Sequence, residues 1–324
     1  MTDFNDIIMG NLSPLEQKGE IFVYGIEERL KASLEHIKTK YKKIDIFNNS
    51  IKFISYCHSD AVKANEHLFT VGFFPATETE MELDYSIKHA LIGSYKASFS
   101  DLRRAIELTI VFVYLTSEDC DTKKATDWIL SKSDTPHFSF AFEKLTKKGR
   151  YKEFNDKYNW KNNLKEFYWL LSDFSHNKGQ IKGYRELNKT RSFFSHTSMP
   201  SINLETLETF CNFYIKVVEE IVVILSLYNP MILVGVPLDE KFGLNGPASW
   251  FFNEGQAEFV HLLIPDNYKK YFKELAENDN EVQGLLDHFN SLPDLTKEDV
   301  DKQIQEQKEF FEKVNNPKKK KPSS

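Results

Sequence analysis

Two Phe-Ser-His tripeptides are the residues of this 324-residue sequence best suited to chemistry. The first ends at His176, within LLSDFSHNKG, and the second ends at His196, within RSFFSHTS, where Arg191 completes an R-x4-H pattern. An arginine can stabilise charge that develops on a phosphate, and a neutral histidine, with an ordinary pKa of about 6.5, can take a proton from a ribose 2′-hydroxyl. Arg191 and His196 could therefore cleave RNA without a metal, and His176 could protonate the leaving oxygen.

The R-x4-H spacing is not specific by itself. With 9 histidines and few arginines in the chain, a match to R-x4–6-H arises by chance roughly half the time. Arg29 and His36 give a second match, but they lie on a predicted helix in a lysine-rich stretch, which favours an exposed helix face. Arg191 and His196 follow the polar segment HNKGQIKGYRELNKTR, where an irregular backbone can carry a site. The alternative is that His196 bonds a backbone carbonyl and Arg191 is solvated.

Positive charge is concentrated in the same part of the chain. The whole sequence has a net charge of −6, which argues against wholesale electrostatic binding to nucleic acid. Residues 143–192 nevertheless hold 13 Lys or Arg against 6 Asp or Glu, a local net charge of +7, with many aromatic residues among them. This composition suits single-stranded nucleic acid, although aromatic residues at helical spacing are also typical of a core. We predict RNA contacts through Lys178, Lys182, Arg185 and Lys189.

Charged residues also interrupt a predicted apolar helix. In SDLRRAIEL, Arg103, Arg104 and Glu107 come just where the sequence becomes apolar on all sides. Glu107 is four residues from Arg103 and three from Arg104, so an ion pair on one helix face is feasible. Such a pair beside a buried stretch is either a structural element or the floor of a polar site. We assign these three residues as polar support for the candidate site, with the structural alternative left open.

Other catalytic and metal-binding motifs are missing from the sequence. It has no HExxH, paired CxxC or G-x-S-x-G motif, and its 3 cysteines are widely separated. We therefore predict no metal and no cofactor. No signal peptide is recognisable, and Asn229-Pro230 interrupts the most apolar stretch, residues 221–238, which acidic residues flank. The sequence thus predicts a cytoplasmic protein with no membrane partner.

Apolar residues recur at three- and four-residue spacing in three long segments, which predicts a mainly α fold. These long helices are predicted over 81–116, 160–175 and 203–228. Shorter helices are predicted over 26–43, 51–68, 123–131, 138–147, 151–158, 266–277, 279–290 and 297–314. Two apolar segments near the N-terminus, IFVYGI (21–26) and HLFTVGFF (67–74), are candidate short strands.

Shifts in composition divide the chain into four parts. We predict a mostly helical N-terminal region over 1–80, a helical-bundle core over 81–230, a C-terminal helical arm over 231–316 and a basic tail over 317–324. The arm begins with the loop-like segment VGVPLDEKFGLNGPASW, and the tail reads PKKKKPSS. The tail is predicted to be a disordered, solvated terminus, the alternative being weak attraction to nucleic acid.

The order of these elements resembles the HEPN superfamily of helical proteins. SYKASFSDLRRAIELTIVFVYL, LKEFYWLLSDFSHNKG and RSFFSHT precede a long final helix, and together they are similar to uncharacterised bacterial helical proteins found with abortive-infection and phage-defence systems. The resemblance covers residues 85–228. It implies an up-and-down helical bundle, often dimeric, whose R-x4–6-H site faces the partner copy and cleaves RNA without a metal.

Individual residues match the family motif to different degrees. Arg191 and His196 match the motif, and His176 matches the LS-x-x-x-H helix end of the defence-associated group. Ser192 departs from the pattern, because the residue after the motif arginine is commonly Asn, Asp or His. Many members of the superfamily bind RNA without cleaving it or act as partners of a second protein.

The sequence supports two functions of different classes. The first is an HEPN-like, RNA-directed protein, a metal-independent endoribonuclease of a bacterial defence or toxin system, with RNA and a second copy of the chain as partners. The second is a non-catalytic adaptor or scaffold, in which the long helices bind another protein and both histidines are structural. Geometry discriminates between them, because catalysis needs Arg191, His196 and His176 to converge on one phosphate, within one chain or across a dimer.

Overall fold

The computed structural model of the chain describes residues 21–41, 44–60, 71–117, 120–175, 204–243 and 251–315. Its α-helices are α1 (Ile21–Lys40), α2 (Ile44–Asp60), α3 (Phe73–Leu91), α4 (Tyr95–Thr116), α5 (Thr122–Ile129), α6 (Phe138–Leu145), α7 (Gly149–Tyr158), α8 (Trp160–Ser175), α9 (Leu204–Tyr228), α10 (Leu238–Phe242), α11 (Glu254–Leu263), α12 (Lys269–Asn278), α13 (Asn280–Ser291) and α14 (Lys297–Asn315). A single 3-10 turn, Pro230–Leu233, follows α9.

The mainly α fold predicted from the apolar periodicity is confirmed, since the described ranges contain no β-sheet. The strand prediction for IFVYGI is wrong, because residues 21–26 form the start of α1. In HLFTVGFF, residues 71–74 lead into and begin α3, so no strand forms there, and residues 67–70 lie outside the described part. The predicted loop at 234–250 contains the short helix α10.

The helix predicted over 81–116 is two helices, α3 and α4, joined by a tight turn at Ile92–Ser94. Gly93 adopts a φ of +80°, the left-handed conformation that commonly ends a helix. The Ser94 amide then donates to the His89 carbonyl at 2.7 Å. The chain therefore reverses, and α3 packs along α4 as a helical hairpin.

Helix α4 is the centre of the first part of the molecule. It packs against α3, α6, α8 and α9, and its last two turns are buried on all sides, as predicted from the run LTIVFVYL. The last two turns of α9 are equally apolar and largely buried, and the Tyr228 hydroxyl donates to the Thr116 carbonyl at 3.1 Å. Helices α1 and α2 cover α3 and α9, while α7 packs on α8. Burial of two fully apolar helix ends supplies much of the stabilising area.

Aromatic rings hold the end of α8 against α4 and α9. Phe174 stacks on Phe99 with ring centroids 4.4 Å apart, and Phe213 makes edge contacts with Phe174 at 5.7 Å and with Phe167 at 5.6 Å. The aromatic residues that recur at helical spacing along α8 are therefore largely part of the core. This is the alternative that the sequence left open beside stacking on nucleic-acid bases. Phe167 and Tyr168 are buried, whereas Trp169 is exposed.

Contacts divide the chain into two compact units. The first comprises residues up to Asn229 together with Leu263–Pro265, and the second comprises Pro230–Leu262 and the chain from Asp266 onward. The predicted domain boundary at residue 80 lies inside α3, and both sides of it belong to the first unit. The predicted boundary at residue 230 lies beside the division between Asn229 and Pro230, but Leu263–Pro265 of the predicted C-terminal arm belong to the first unit.

The second unit has its own small core. Val236, Leu238 and Phe289 are buried together, and Phe251, Leu285, Leu286 and Leu292 pack around them. The Lys241 ammonium group donates to the Leu292 carbonyl at 2.7 Å and to Asp294 at 2.6 Å, which ties α10 to the end of α13. Helices α12 and α13 pack on each other and on the 3-10 turn. Within the described ranges, no helix combines the length and the apolar character needed to cross a membrane.

Candidate functional site

The residues predicted for catalysis and RNA contact fall in one stretch that is not described. They are His176, Lys178, Lys182, Arg185, Lys189, Arg191 and His196, and all lie outside the described residues. The described chain ends at Ser175 on α8 and resumes at Leu204 on α9. The polar residues of α4 predicted as support, Arg103, Arg104 and Glu107, are described.

Arg103 and Glu107 form an ion pair on α4, as their spacing suggested. The Arg103 guanidinium lies 3.4 Å from the Glu107 carboxylate and donates to the Ser172 hydroxyl of α8 at 3.4 Å. Tyr168, one turn before Ser172, donates its hydroxyl to Glu107 at 3.2 Å, and its ring centroid lies 5.7 Å from the guanidinium. Burial raises the pKa of Tyr168, and the Glu107 charge adds to this shift. We call these four residues the Arg103 cluster; it joins α4 to the last turns of α8.

Arg104 does not pair with Glu107 but with two other carboxylates. Its guanidinium donates to both carboxylate oxygens of Glu82 on α3, each at 2.7 Å, in a bidentate arrangement. It also donates to Asp101 at 2.5 Å, and Asp101 accepts a second bond at 2.6 Å from Nδ1 of His89. We call Glu82, His89, Asp101 and Arg104 the His89 cluster; it joins α3 to α4.

The His89–Asp101 pair has the chemistry of an oriented acid–base group. The Asp101 side chain is 2% exposed, whereas that of His89 is 39% exposed. With the proton on Nδ1, a tautomer that the carboxylate favours, Nε2 is the acceptor and could take a proton from solvent or substrate. Burial raises the pKa of Asp101, and this effect is partly offset by the hydrogen bond from His89 and by the Arg104 charge.

A surface groove of the first unit begins one helical turn from part of the His89 cluster. A groove of about 520 Å³ is lined by Phe74, Pro75 and Glu78 of α3, Leu108 of α4, and residues 128–135 in and after α5. Glu78 is one turn from Glu82 along α3, and Leu108 is one turn from Arg104 along α4, whereas His89 lies about 16 Å from Glu78 along the axis of α3. Because Arg104 bonds the carboxylates of both Glu82 and Asp101, the His89 cluster stabilises the α3–α4 hairpin.

The second match to R-x4–6-H, Arg29 and His36, places its histidine in a structural contact rather than on an exposed helix face. Nε2 of His36 lies 2.9 Å from the Glu208 carboxylate of α9, and its side chain is 13% exposed. Tyr41 donates to the Glu208 carbonyl at 2.7 Å, so both residues fix α1 to the first turns of α9. The expectation that this stretch faces solvent is therefore wrong for His36.

Three residues of the His89 cluster were not predicted from the sequence. Asp101 lies three residues before Arg104, so an ion pair on one helix face was within reach of the spacing argument. The spacing argument could not find Glu82 and His89. They precede the turn at Gly93, and the sequence from 81 to 116 was taken as one continuous helix. The signal that could have found them was Gly93 itself, a residue type that commonly ends helices.

Neither a metal site among the described residues nor a known relative indicates what the two clusters do. Among the described residues, no group of three or more His, Cys, Asp and Glu side chains could hold a metal ion. Comparison with protein-family models, with curated proteins and with solved structures finds no match to this chain. The described residues thus define an α-helical protein in which ion pairs join α4 to α3 and hydrogen bonds join α4 to α8.

Replacing Arg104 should destabilise the first unit. Arg104→Leu would leave the buried Glu82 without its cation and Asp101 with only its bond to His89. We expect a loss of about 2 kcal/mol in the free energy of unfolding, after allowing for the partial exposure of Arg104. Arg104→Lys should recover part of this loss, because it restores the charge but not the bidentate geometry. Urea unfolding at neutral pH measures both values.

The matched control for Arg104 is Lys88→Leu on the same hairpin. Lys88 forms an exposed ion pair with Asp84, and exposed pairs contribute little, so the unfolding midpoint should hardly change. If Arg104→Leu were as stable as Lys88→Leu, the His89 cluster would not fasten the hairpin.

Proposed function

We propose that this chain is a cytoplasmic, HEPN-like protein that acts on RNA, as a metal-independent endoribonuclease of a bacterial defence or toxin system. Arg191 stabilises the charge on the scissile phosphate, His196 takes the proton of the 2′-hydroxyl, and His176 protonates the leaving oxygen. Lys178, Lys182, Arg185 and Lys189 hold the RNA backbone. Catalysis in this form needs no metal and no cofactor.

One observation about the described helices supports the proposal most. The basic segment with both Phe-Ser-His elements connects α8 to α9, and these two helices pack on the same central helix α4. Phe174, one residue before the end of α8, is held between Phe99 and Phe213. Both anchors of the segment therefore belong to one bundle. Catalytic residues are commonly positioned by a rigid scaffold of packed elements.

The Arg103 cluster gives this scaffold a polar edge. Ser172 and Tyr168 bring the cluster onto the last turns of α8, so the charged side chains of α4 lie close to Ser175, after which the segment begins. Arg103 and Glu107 neutralise one another, so the cluster supports the helix end rather than offering a free cation. We therefore propose that both residues support the site by stabilising the end of α8.

The first test is cleavage of RNA in the presence of EDTA. We expect the wild-type protein to cut total RNA and single-stranded oligonucleotides and to leave 2′,3′-cyclic phosphate ends, the product of attack by the 2′-hydroxyl. His196→Ala and Arg191→Ala should each lower the rate at least about 100-fold, the usual contribution of a general base or of a group that stabilises an oxyanion. Gel analysis of end-labelled RNA and enzymatic mapping of the ends measure both effects.

The control for these variants is His137→Ala. His137 is an exposed histidine that precedes α6 and makes no capping hydrogen bond through its side chain, so its loss should leave cleavage unchanged. Circular dichroism establishes that each variant is folded. Folded wild-type protein that leaves total RNA intact, or a His196→Ala variant that cleaves at the wild-type rate, would contradict the ribonuclease proposal.

A second candidate is a non-catalytic interaction protein. It is favoured by the internal pairing of both described clusters, since Arg103 and Arg104 are each engaged by carboxylates of the same bundle. In this case the polar residues of α4 are structural and another protein is the partner. The cleavage assay separates the two candidates, because an adaptor gives no cyclic-phosphate product.

A further inference from the structure

The last described helix, α14, exposes an apolar stripe. Val300, Ile304, Phe311 and Val314 are between 36% and 59% exposed, which is high for large apolar side chains. Their spacing, with Gln307 in the remaining place, is four, three, four and three residues, the heptad pattern of a helix that pairs with another helix. Phe310 is exposed beside the stripe and widens it.

The start of α14 is firmly defined. The Thr296 amide donates to the Asp299 carboxylate at 3.0 Å, and the Asp299 amide donates to the Thr296 hydroxyl at 3.2 Å, a reciprocal capping arrangement. The hydrogen bond from the Thr296 hydroxyl lowers the pKa of Asp299. Just before it, the Leu295 amide donates to the Glu240 carbonyl at 2.8 Å. The helix is thus attached to the second unit at its first turn, with a length of about 28 Å beyond that point.

The stripe from Val300 to Phe311 is complementary to itself when two copies run antiparallel, whereas Val314 falls opposite Lys297 of the second copy. When two copies of α14 run antiparallel about a two-fold axis between Ile304 and Gln307, Val300 lies opposite Phe311 of the second copy, and Ile304 lies opposite its Gln307. In this register Asp301 of each copy comes beside Lys308 of the other, at the positions that flank the core of an antiparallel helix pair. A parallel pair in register would instead place Asp301 beside Thr296 and Lys308 beside Gln303 of the other copy, so neither ion pair would form.

We propose that α14 is a self-association surface and that its occupant is the α14 helix of a second copy of this chain, paired antiparallel. The inference does not depend on the proposed function. Because an interface of two helices of this length is at the small end of specific interfaces, we expect a reversible dimer with a dissociation constant in the micromolar range. Its symmetry is isologous, since the same residues face each other from both copies.

The test is sedimentation equilibrium of the full-length protein over a hundredfold range of concentration around the micromolar range. We expect the wild-type chain to convert from monomer to dimer. Phe311→Ser should raise the dissociation constant at least about 100-fold, because each dimer buries two copies of this ring. Glu309→Ser, at a position on the opposite face of α14, is the matched control and should leave the constant unchanged.

Charge reversal tests the antiparallel register itself. Asp301→Lys should weaken the dimer about tenfold, because the new lysine faces Lys308 of the other copy. Lys308→Asp should weaken it to the same extent, because the new aspartate faces Asp301. The double variant should restore the wild-type affinity. These residues are exposed and seven positions apart on α14, so folding should be unaffected, as circular dichroism would verify.

Each other outcome contradicts the inference. A chain that stays monomeric throughout the range has no such surface, and α14 would then be free for a different protein. A dimer that persists in Phe311→Ser, or one that the double reversal does not restore, is held together elsewhere or in another register. None of these results bears on RNA cleavage, which is measured separately through Arg191 and His196.

Discussion

Replacing Trp160 with phenylalanine should lower the free energy of unfolding by about 3 kcal/mol. The smaller ring loses packing contacts, and a buried hydrogen-bond acceptor is left without its donor. Trp160 begins α8, is fully buried, and contacts the rings of Phe142 at 5.0 Å and Phe154 at 5.5 Å. Its indole N–H donates to the Glu220 carboxylate of α9 at 2.8 Å. Burial raises the pKa of Glu220 to about 6, and the hydrogen bond from Trp160 opposes this rise.

Urea unfolding followed by circular dichroism measures the loss, and Trp169→Phe is the matched control. Trp169 lies on the same helix but is largely exposed, so the identical substitution should change stability by less than about 0.5 kcal/mol. A double-mutant cycle with Glu220→Leu should show a coupling energy of about 1–2 kcal/mol, because the pair shares one buried hydrogen bond. Additive effects of the two substitutions would mean that this bond does not stabilise the fold.

Lowering the pH should destabilise the protein through His58, which takes up a proton when the chain unfolds. This is the second of the two largest effects that we expect. His58 lies on α2, is buried against the edge of Phe112 at 4.8 Å between ring centroids, and neither ring nitrogen has a hydrogen bond of ordinary geometry. Burial lowers the pKa of His58 to about 4, with the Ile54 carbonyl acting weakly in the opposite direction. The unfolded chain, with a pKa near 6.5, takes up a proton that the folded chain excludes.

The direction in which stability changes with pH follows from this difference in pKa between the folded and unfolded states. Between pH 6.5 and pH 4 the unfolded state binds more protons, so stability is fully present above pH 6.5 and falls as the pH falls. We expect His58 to cost about 2 kcal/mol at pH 5 and about 3 kcal/mol at pH 4. Glu220 acts in the opposite direction, because its raised pKa gives stability that is present below pH 4.5 and lost as the pH rises through 6.

Difference measurements isolate His58 from Glu220. The free energy of unfolding of wild type and of His58→Leu is measured by urea titration from pH 7.5 to pH 4, and the gap between the two should change by about 3 kcal/mol in favour of the variant. His58→Asn, which also cannot titrate, should show the same change with pH although its absolute stability differs. Parallel curves for wild type and both variants would show that His58 does not titrate between these pH values.

Local patterns predicted most helices well. The apolar spacing predicted helices over 160–175 and 203–228, and the structure has α8 at Trp160–Ser175 and α9 at Leu204–Tyr228. These predictions succeeded because a helix that buries one face carries its own period in the sequence, and turn residues mark its ends. The same signal failed at Gly93, where two helices with continuous apolar character were taken for one.

That one turn changes which side chains can meet. On a continuous helix, His89 and Asp101 would lie about 18 Å apart along the axis. The reversal at Ile92–Ser94 brings Nδ1 of His89 to 2.6 Å from the Asp101 carboxylate and brings Glu82 to Arg104. The sequence showed Asp101 and Arg104 as neighbours on one helix face, but not the two residues that reach them from the preceding helix.

The sequence by itself determined the helical class, most helix bounds and that Glu107 could pair with Arg103 or Arg104, because each depends on residues within one or two turns of each other. Only the tertiary structure decided that Arg104 binds Glu82, that His36 binds Glu208 and that Trp160 binds Glu220. These partners are separated by 22, 172 and 60 residues. Such pairs form where two helices cross, and the crossing is set by the packing of whole apolar faces rather than by any short pattern in the chain.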